Sequence, residues 1–263
     1  MTLLALPAFT DNYIWMIHDG RQALVVDPGE ASPVLQALDR LDLDLCGILV
    51  THHHRDHVGG LTELALSPRA RGARWLGPDT PALPVPVDAV HEGDRLTLGP
   101  WSIDVLEVPG HTRSHRAFVV RPICENHGMA PLLFCGDALF SAGCGRLFEG
   151  TPAQMLQSLR RLAALPAETQ VCCAHEYTLA NLRFARAVEP DNLAVIRHEA
   201  QCTRLRERDL PTLPTTIGLE REINPFLRCE QSGVIDQAVA RGASADDPVS
   251  VFAAIRQWKD NYR

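Results

Sequence analysis

Lysine is almost missing from this chain. Of 25 basic residues, 24 are arginine and one, Lys259, is lysine. Where nearly every cation is a guanidinium, a lone compact ammonium is a candidate for a role arginine does not fill, because the two are not interchangeable. Basic residues are also outnumbered, 25 against 32 acidic, for a net charge of −7, and they form no basic block. Nucleic acid is therefore not an expected partner. No apolar run reaches the roughly 20 residues that cross a bilayer, so no membrane partner is expected. The first residues, Met1 to Pro7, lack the basic start and long apolar core of an export signal. They read as a first strand of a cytoplasmic protein, for which we expect a monomer. No two of the eight cysteines (Cys46, Cys124, Cys135, Cys144, Cys172, Cys173, Cys202 and Cys229) make a C-x-x-C pair, which removes the usual thiolate zinc site. Several lie in apolar runs, where a reduced thiol behaves as a small hydrophobe.

What the chain does have is histidine in one place. Thr51-His52-His53-His54-Arg55-Asp56-His57-Val58-Gly59-Gly60 offers four imidazoles and a carboxylate in six residues. It follows Cys46 to Val50, an apolar run that reads as a buried strand. It precedes a helical stretch, Leu61 to Leu66. His52 and His54 are two apart, so on an extended segment they share a side, while His53 points away.

With 263 residues and 46% hydrophobic content, the chain can build one large domain or a main domain with a companion. Strands are expected at Leu3 to Ala8, Tyr13 to His18, Ala23 to Val26, Ala73 to Leu76, Arg95 to Leu98, Ile103 to Val108, Ala117 to Val120, Leu132 to Phe134 and Thr169 to Cys173. Helices are expected at Ser32 to Leu41, capped by Ser32, and from Thr151-Pro152 to about Ala164. After His175 the pattern turns helical, at Thr178 to Val188, Leu193 to Arg208, Val234 to Ala240 and Val249 to Trp258. An irregular proline-rich section, Pro211 to Pro225, lies between. The division expected is a mixed α/β domain over 1–175 and a helical domain over 176–263.

The end of one strand after another carries a ligand type. His111 follows Ile103 to Val108, Asp137 follows Leu132 to Phe134, and His175 follows Val171-Cys172-Cys173. Convergent ligands on rigid elements are what a metal site requires. The count suits two ions: His52, His54 and His111 for one, Asp56, His57 and His175 for the other, and Asp137 between them. Asp56 and Asp137 would then also position a bridging hydroxide. His and Asp donors accept zinc, which we place first, and iron or manganese. His18, His53, His91, His115, His127 and His198 read as surface or structural.

These residues, with Asp27 in Val25-Val26-Asp27-Pro28-Gly29, resemble the metallo-β-lactamase superfamily. The resemblance implies an α/β fold, the αββα sandwich, with Asp27 orienting ligands rather than binding metal. Within that superfamily the whole chain is similar to the glyoxalase II (hydroxyacylglutathione hydrolase) family. Thr10-Asp11-Asn12-Tyr13, Gly143 to Gly150, His175-Glu176-Tyr177-Thr178, Asn224-Pro225-Phe226 and Arg256-Gln257-Trp258-Lys259-Asp260 carry the likeness. It implies hydrolysis of a glutathione thioester such as S-D-lactoylglutathione, with two divalent metals and a small helical domain at the C-terminus. Substrate contacts are implied at Arg146, Phe148, Tyr177, Arg256 and Lys259. The family often has lysine where Arg146 stands and tyrosine where Phe148 stands. Two other readings stay open: a glutathione persulfide dioxygenase with a single iron, and a non-catalytic metal-binding protein.

Overall fold

Three short strands open the chain in a meander, β1 (Thr2–Ala8), β2 (Asn12–His18) and β3 (Gln22–Val26), each antiparallel to the next. The computed structural model describes residues 1–123 and 130–262. Cys124 and His127 lie outside the described residues.

By compactness the chain divides into two units. One holds Met1–Glu107 and Ser114–Gly136, the other Val108–Arg113 and Asp137–Arg263. In the first, the chain changes from antiparallel to parallel pairing after β3. Helix α1 (Ala31–Leu41) leads to β4 (Asp44–Leu49), parallel to β3. A parallel pair needs a crossover of this kind. Short helices α2 (Arg55–Val58) and α3 (Leu61–Leu66) lead to β5 (Arg74–Gly77), and β6 (Asp88–Ala89) completes a six-stranded mixed sheet. The same unit contains an antiparallel run, β7 (Arg95–Leu98), β8 (Trp101–Glu107), β9 (Arg116–Pro122) and β10 (Leu132–Phe134).

Helix spacing explains how the first sheet is covered. Val34 and Leu38 of α1, one turn apart, and Leu61 and Leu64 of α3 pack with Met16, Val25 and Ile48, all fully buried. Each such side chain contributes roughly 1.5–3 kcal/mol by leaving water. In β9, Ala117 to Val120 are buried without alternation, which marks a strand covered on both faces.

The second unit begins, after Asp137, with a hairpin, β11 (Leu139–Phe140) and β12 (Gly143–Cys144). Helix α4 (Pro152–Ala163) starts from a capping box in which Thr151 and Gln154 satisfy each other's backbone donors. Strand β13 (Gln170–Cys172) pairs with β14 (Thr215–Thr216). The remaining helices are α5 (Thr178–Val188), α6 (Leu193–Arg206), α7 (Ile217–Ile223), α8 (Ser232–Val239) and α9 (Pro248–Asn261). Leu182, Ala185, Val195, Cys202 and Ile223 form a core shared by α5, α6 and α7. Mixed sheets with helices, then a helical run, give the expected α/β class. Among the described residues no helix is long and apolar enough to cross a membrane.

Two local expectations need correction. Ser32 does not cap α1. The helix starts at Ala31, behind Glu30, which makes no side-chain cap bond. The section from Pro211 to Pro225 is not irregular throughout, since it contains β14 and α7. Thr216 accepts a bond from Leu219 N and starts that helix inside the proline-rich stretch. One further turn of helix, Arg55 to Val58, precedes the expected helix at Leu61 to Leu66.

Candidate metal centre

Parallel pairing places the carboxyl ends of β3 and β4 at one sheet edge, where open α/β sheets gather their ligands. Asp27 and His52 leave from those ends. Asp27 adopts a left-handed φ of 49°, tolerable for an aspartate, and its amide donates to Leu49 O at 2.9 Å. Its buried carboxylate then collects three donors. Thr51 N reaches Oδ1 at 2.7 Å, Thr51 Oγ1 reaches Oδ2 at 2.6 Å, and His57 Nδ1 reaches Oδ2 at 3.0 Å.

These bonds fix tautomers. A carboxylate only accepts, so His57 carries its proton on Nδ1 and turns Nε2 outward as a lone pair. The Thr51 hydroxyl gives its one proton to Asp27. Toward His52 Nδ1, 3.0 Å away, it can only accept, so His52 too is protonated on Nδ1 and offers Nε2. That Nε2 lies 3.1 Å from His54 Nδ1, close to the roughly 3.3 Å between two nitrogens on one tetrahedral ion. Asp27, His52 and His57 present ligand atoms within 4.8 Å of one another. Asp56 Oδ2 stands 3.6 Å from His57 Nε2 and accepts from Asn12 Nδ2 at 3.2 Å. His115, fully buried, stacks on His52 at 4.6 Å and 16°. Gly136 allows this packing. Its φ is 47°, and a Cβ there would sit 2.3 Å from Thr51 Oγ1.

The second unit presents the other expected ligands. Residues 108–113 are laced to the chain after β12. Phe148 N donates to His111 O at 3.2 Å, Gly150 N to Gly110 O at 3.1 Å, and Arg113 N to Glu149 Oε2 at 2.8 Å. His111 Nδ1 donates to Arg146 O at 2.9 Å, so its Nε2 is the lone pair, 3.4 Å from Asp137 Oδ2. His175 Nε2 lies 3.4 Å from the other oxygen, Oδ1. One carboxylate thus faces two imidazoles with separate oxygens. Gly145 makes room, since a Cβ there would fall 2.0 Å from Asp137 O and 2.9 Å from His111 Nδ1.

The expected substrate residues lie in this unit too. Tyr177 stacks on His175 at 4.7 Å and 8°. Phe148, 63% exposed, meets the His111 ring edge-on at 5.3 Å. Arg146 is exposed, with Nε 3.8 Å from Asp260. Arg256 is buried. Its Nε and Nη2 donate to Asp260 Oδ1 at 3.1 and 2.8 Å, and Nη1 donates to Cys144 O at 2.9 Å. Lys259 donates to Ala180 O at 3.2 Å, with its ammonium 5.3 Å from the Phe184 ring. Burial, followed by the positive fields of Arg256, Arg183 and Arg146, pushes Lys259 down to about 8, against a smaller upward pull from Asp260.

Burial pushes the Cys144 thiol up to about 11, against the pull of Arg256, and the thiols of Cys202 and Cys229 to about 12. They are poor nucleophiles. The donors of both units are imidazole and carboxylate, a set that suits a divalent zinc, iron or manganese ion. Thr51 and Asp260 stand inside the quoted motifs but had no expected role. Thr51 stands directly before His52, and Asp260 stands one turn after Arg256.

Comparison with known proteins agrees with this chemistry. The family described as Metallo-beta-lactamase superfamily matches residues 8–175, and Hydroxyacylglutathione hydrolase C-terminus matches residues 176–262. A relative from Albidiferax ferrireducens, named hydroxyacylglutathione hydrolase, is 55% identical over 262 residues, covering 100% of each chain. Among solved structures, ETHE1 from Myxococcus xanthus is 25% identical with a TM-score of 0.63, covering 99% of this chain and 91% of its own. TTHA1623 in a di-iron-bound form is 26% identical with a TM-score of 0.56, covering 86% of this chain and 100% of its own.

Proposed function

The chain belongs to the hydroxyacylglutathione hydrolase family of the metallo-β-lactamase superfamily, and from that premise we propose that it hydrolyses S-(2-hydroxyacyl)glutathione thioesters, S-D-lactoylglutathione first among them. The products are glutathione and a 2-hydroxy acid, as in the second step of methylglyoxal detoxification. The observation that carries the reading is the 55% identity over the whole chain, joined to a histidine and aspartate donor set in which His52, His57 and His111 turn Nε2 toward the site. The full-length match, and the family match over 176–262, favour it over a single-iron dioxygenase or a non-catalytic metal binder.

In this reading His52, His54 and His111 hold one metal, Asp56, His57 and His175 a second, and Asp137 serves both, with zinc the first choice. The support is chemical. The inferred tautomers leave Nε2 lone pairs on His52, His57 and His111, and Asp137 offers separate oxygens to His111 and His175. When bound, such a pair supplies hydroxide near neutral pH and stabilises negative charge developing on the carbonyl oxygen.

The chain's own residues do the rest. Asp27 holds His57, and through Thr51 it holds His52, each in its ligating tautomer. Asp56 and Asp137 position the attacking oxygen. Arg146, Lys259, Arg256, Tyr177 and Phe148 bind the tripeptide. Relative to a tyrosine, Phe148 forgoes one hydrogen bond, worth about 1 kcal/mol. The leaving group is a thiolate, with a conjugate acid near pKa 8.5, so no strong general acid is needed. Residues 1–175 would be the catalytic domain and 176–263 the glutathione-binding one, in a cytoplasmic monomer. The seven free cysteines among the described residues suit a reducing compartment.

The test is thiol release from S-D-lactoylglutathione by the wild type and Asp137→Ala, with metal assayed on both. We expect about two metals per wild-type chain, and a mutant with lower metal content and activity down at least about 100-fold. A metal-loaded wild type that releases no thiol defeats the reading.

A further inference from the structure

Arg256 and Arg146 share one counter-ion, and it belongs to the protein. Asp260 Oδ1 takes both Nε and Nη2 of Arg256, at 3.1 and 2.8 Å. Nη1 of the same guanidinium is engaged by the Cys144 carbonyl, and its carbon lies 4.9 Å from the Phe226 ring. At 5% exposure, Arg256 presents no free two-pronged edge to a ligand. Arg146 is different. Its side chain is 66% exposed, and its Nε is 3.8 Å from the same Asp260 oxygen, too far for a hydrogen bond. Asp260 is itself 39% exposed. It is an anion already standing where anions would be drawn.

We propose that Asp260 is a specificity-determining residue, an internal carboxylate that competes with a carboxylate of the incoming glutathione conjugate for Arg146 and so sets the affinity of this cationic cluster. Arg146 and Lys259 then make the outer anion contacts, and Arg256, held through the Cys144 carbonyl on β12, completes the site beside them. The proposal rests on the reading of this cluster as a glutathione site.

The partner chemistry follows from charge. Lys259 has Arg256, Arg183 and Arg146 as positive neighbours and Asp260 as its opposing negative one. A ligand carboxylate entering here gains from four cations and loses to one fixed anion. Removing that anion, while keeping an oxygen for Arg256, should strengthen anion binding.

Asp260→Asn meets that condition, because the amide oxygen can still accept from Nε and Nη2. The experiment is calorimetric titration of the metal-loaded protein with S-methylglutathione, which carries no thioester, and with its dimethyl ester. It is run at low salt and well below pH 8, where Lys259 keeps its proton. We expect Asp260→Asn to bind S-methylglutathione about three- to five-fold more tightly, the size carried by an exposed charge pair, with no change for the ester. In an Arg146→Gln background that gain should vanish, an outcome that a merely structural Asp260 would not produce. Unchanged or weaker binding by Asp260→Asn, with thermal stability preserved, overturns the proposal alone. A wild type that binds no S-methylglutathione overturns the glutathione reading and this proposal with it.

Discussion

At the scale of single residues, the proposed metal ligands and Asp27 could be found in the sequence, and Thr51, which helps to aim them, could not. His52, His54, His57, His111 and His175 stand out, because an imidazole or carboxylate at the end of an apolar strand is an unusual placement. Thr51 does not, because threonine is common at strand ends and its hydroxyl has many ordinary uses. Its role emerges only when its single proton is counted, given to Asp27 at 2.6 Å and therefore withheld from His52. Thr51→Val keeps the shape and removes the hydroxyl. His52 Nδ1 then loses its acceptor, and Asp27 loses one of three donors. We expect metal affinity, measured by competition with a chromophoric chelator, to fall about 10- to 100-fold, and Thr51→Ser to recover most of it. A Thr51→Val protein that holds its metals as tightly as the wild type removes Thr51 from this role.

At the scale of elements, long strands and capped helices were legible, and the devices that join them were not. Helix α4 was visible because Thr151-Pro152 spells its start. Helix α7 was hidden because seven residues between prolines show too few turns for periodicity to stand out. Its buried side is functional in the fold all the same. Glu220, fully buried, accepts at Oε1 from Ser141 Oγ at 2.9 Å and Thr215 Oγ1 at 2.8 Å, and at Oε2 from Ala142 N at 2.7 Å and Asn224 Nδ2 at 3.0 Å. Asn224 also donates to Phe140 O and Gly143 O. The two side chains hold the β11–β12 turn, where Ala142 sits at a left-handed φ of 54°. That hairpin links Asp137 to Arg146. Burial raises the Glu220 carboxyl, while its four donors oppose the shift. Glu220→Ala would take this acceptor from Ser141, Thr215 and Ala142 N, and one of three acceptors from Asn224. Unsatisfied buried groups cost about 1–3 kcal/mol each before relaxation. We expect a loss of at least about 3 kcal/mol in urea unfolding. Glu220→Gln, which keeps one accepting oxygen, should lose less. A loss under about 1 kcal/mol for the alanine variant would mean that the hairpin is held elsewhere.

At the scale of the whole molecule, charge presents a contradiction that salt can resolve. The chain carries −7, and the proposed substrate is an anion, so the protein's overall field repels it. The cationic cluster of Arg146, Arg183, Arg256 and Lys259 would attract it locally. The two effects differ in range. At physiological ionic strength the screening length is about 8 Å, so the diffuse negative field fades before a ligand arrives, whereas the cluster acts at contact. If contact dominates, KM rises as salt is added, because the pairing with Arg146 and Lys259 weakens. If the global field dominates, KM falls, because salt then screens repulsion more than attraction. We expect the rise, roughly three- to ten-fold between about 0.02 and 0.5 M monovalent salt, with kcat little changed, since exposed pairs of this kind carry up to about 1 kcal/mol each. Steady-state kinetics across that range checks it. A falling KM would place substrate attraction outside this cluster and leave the solitary lysine of an arginine-rich chain without the role its position suggests.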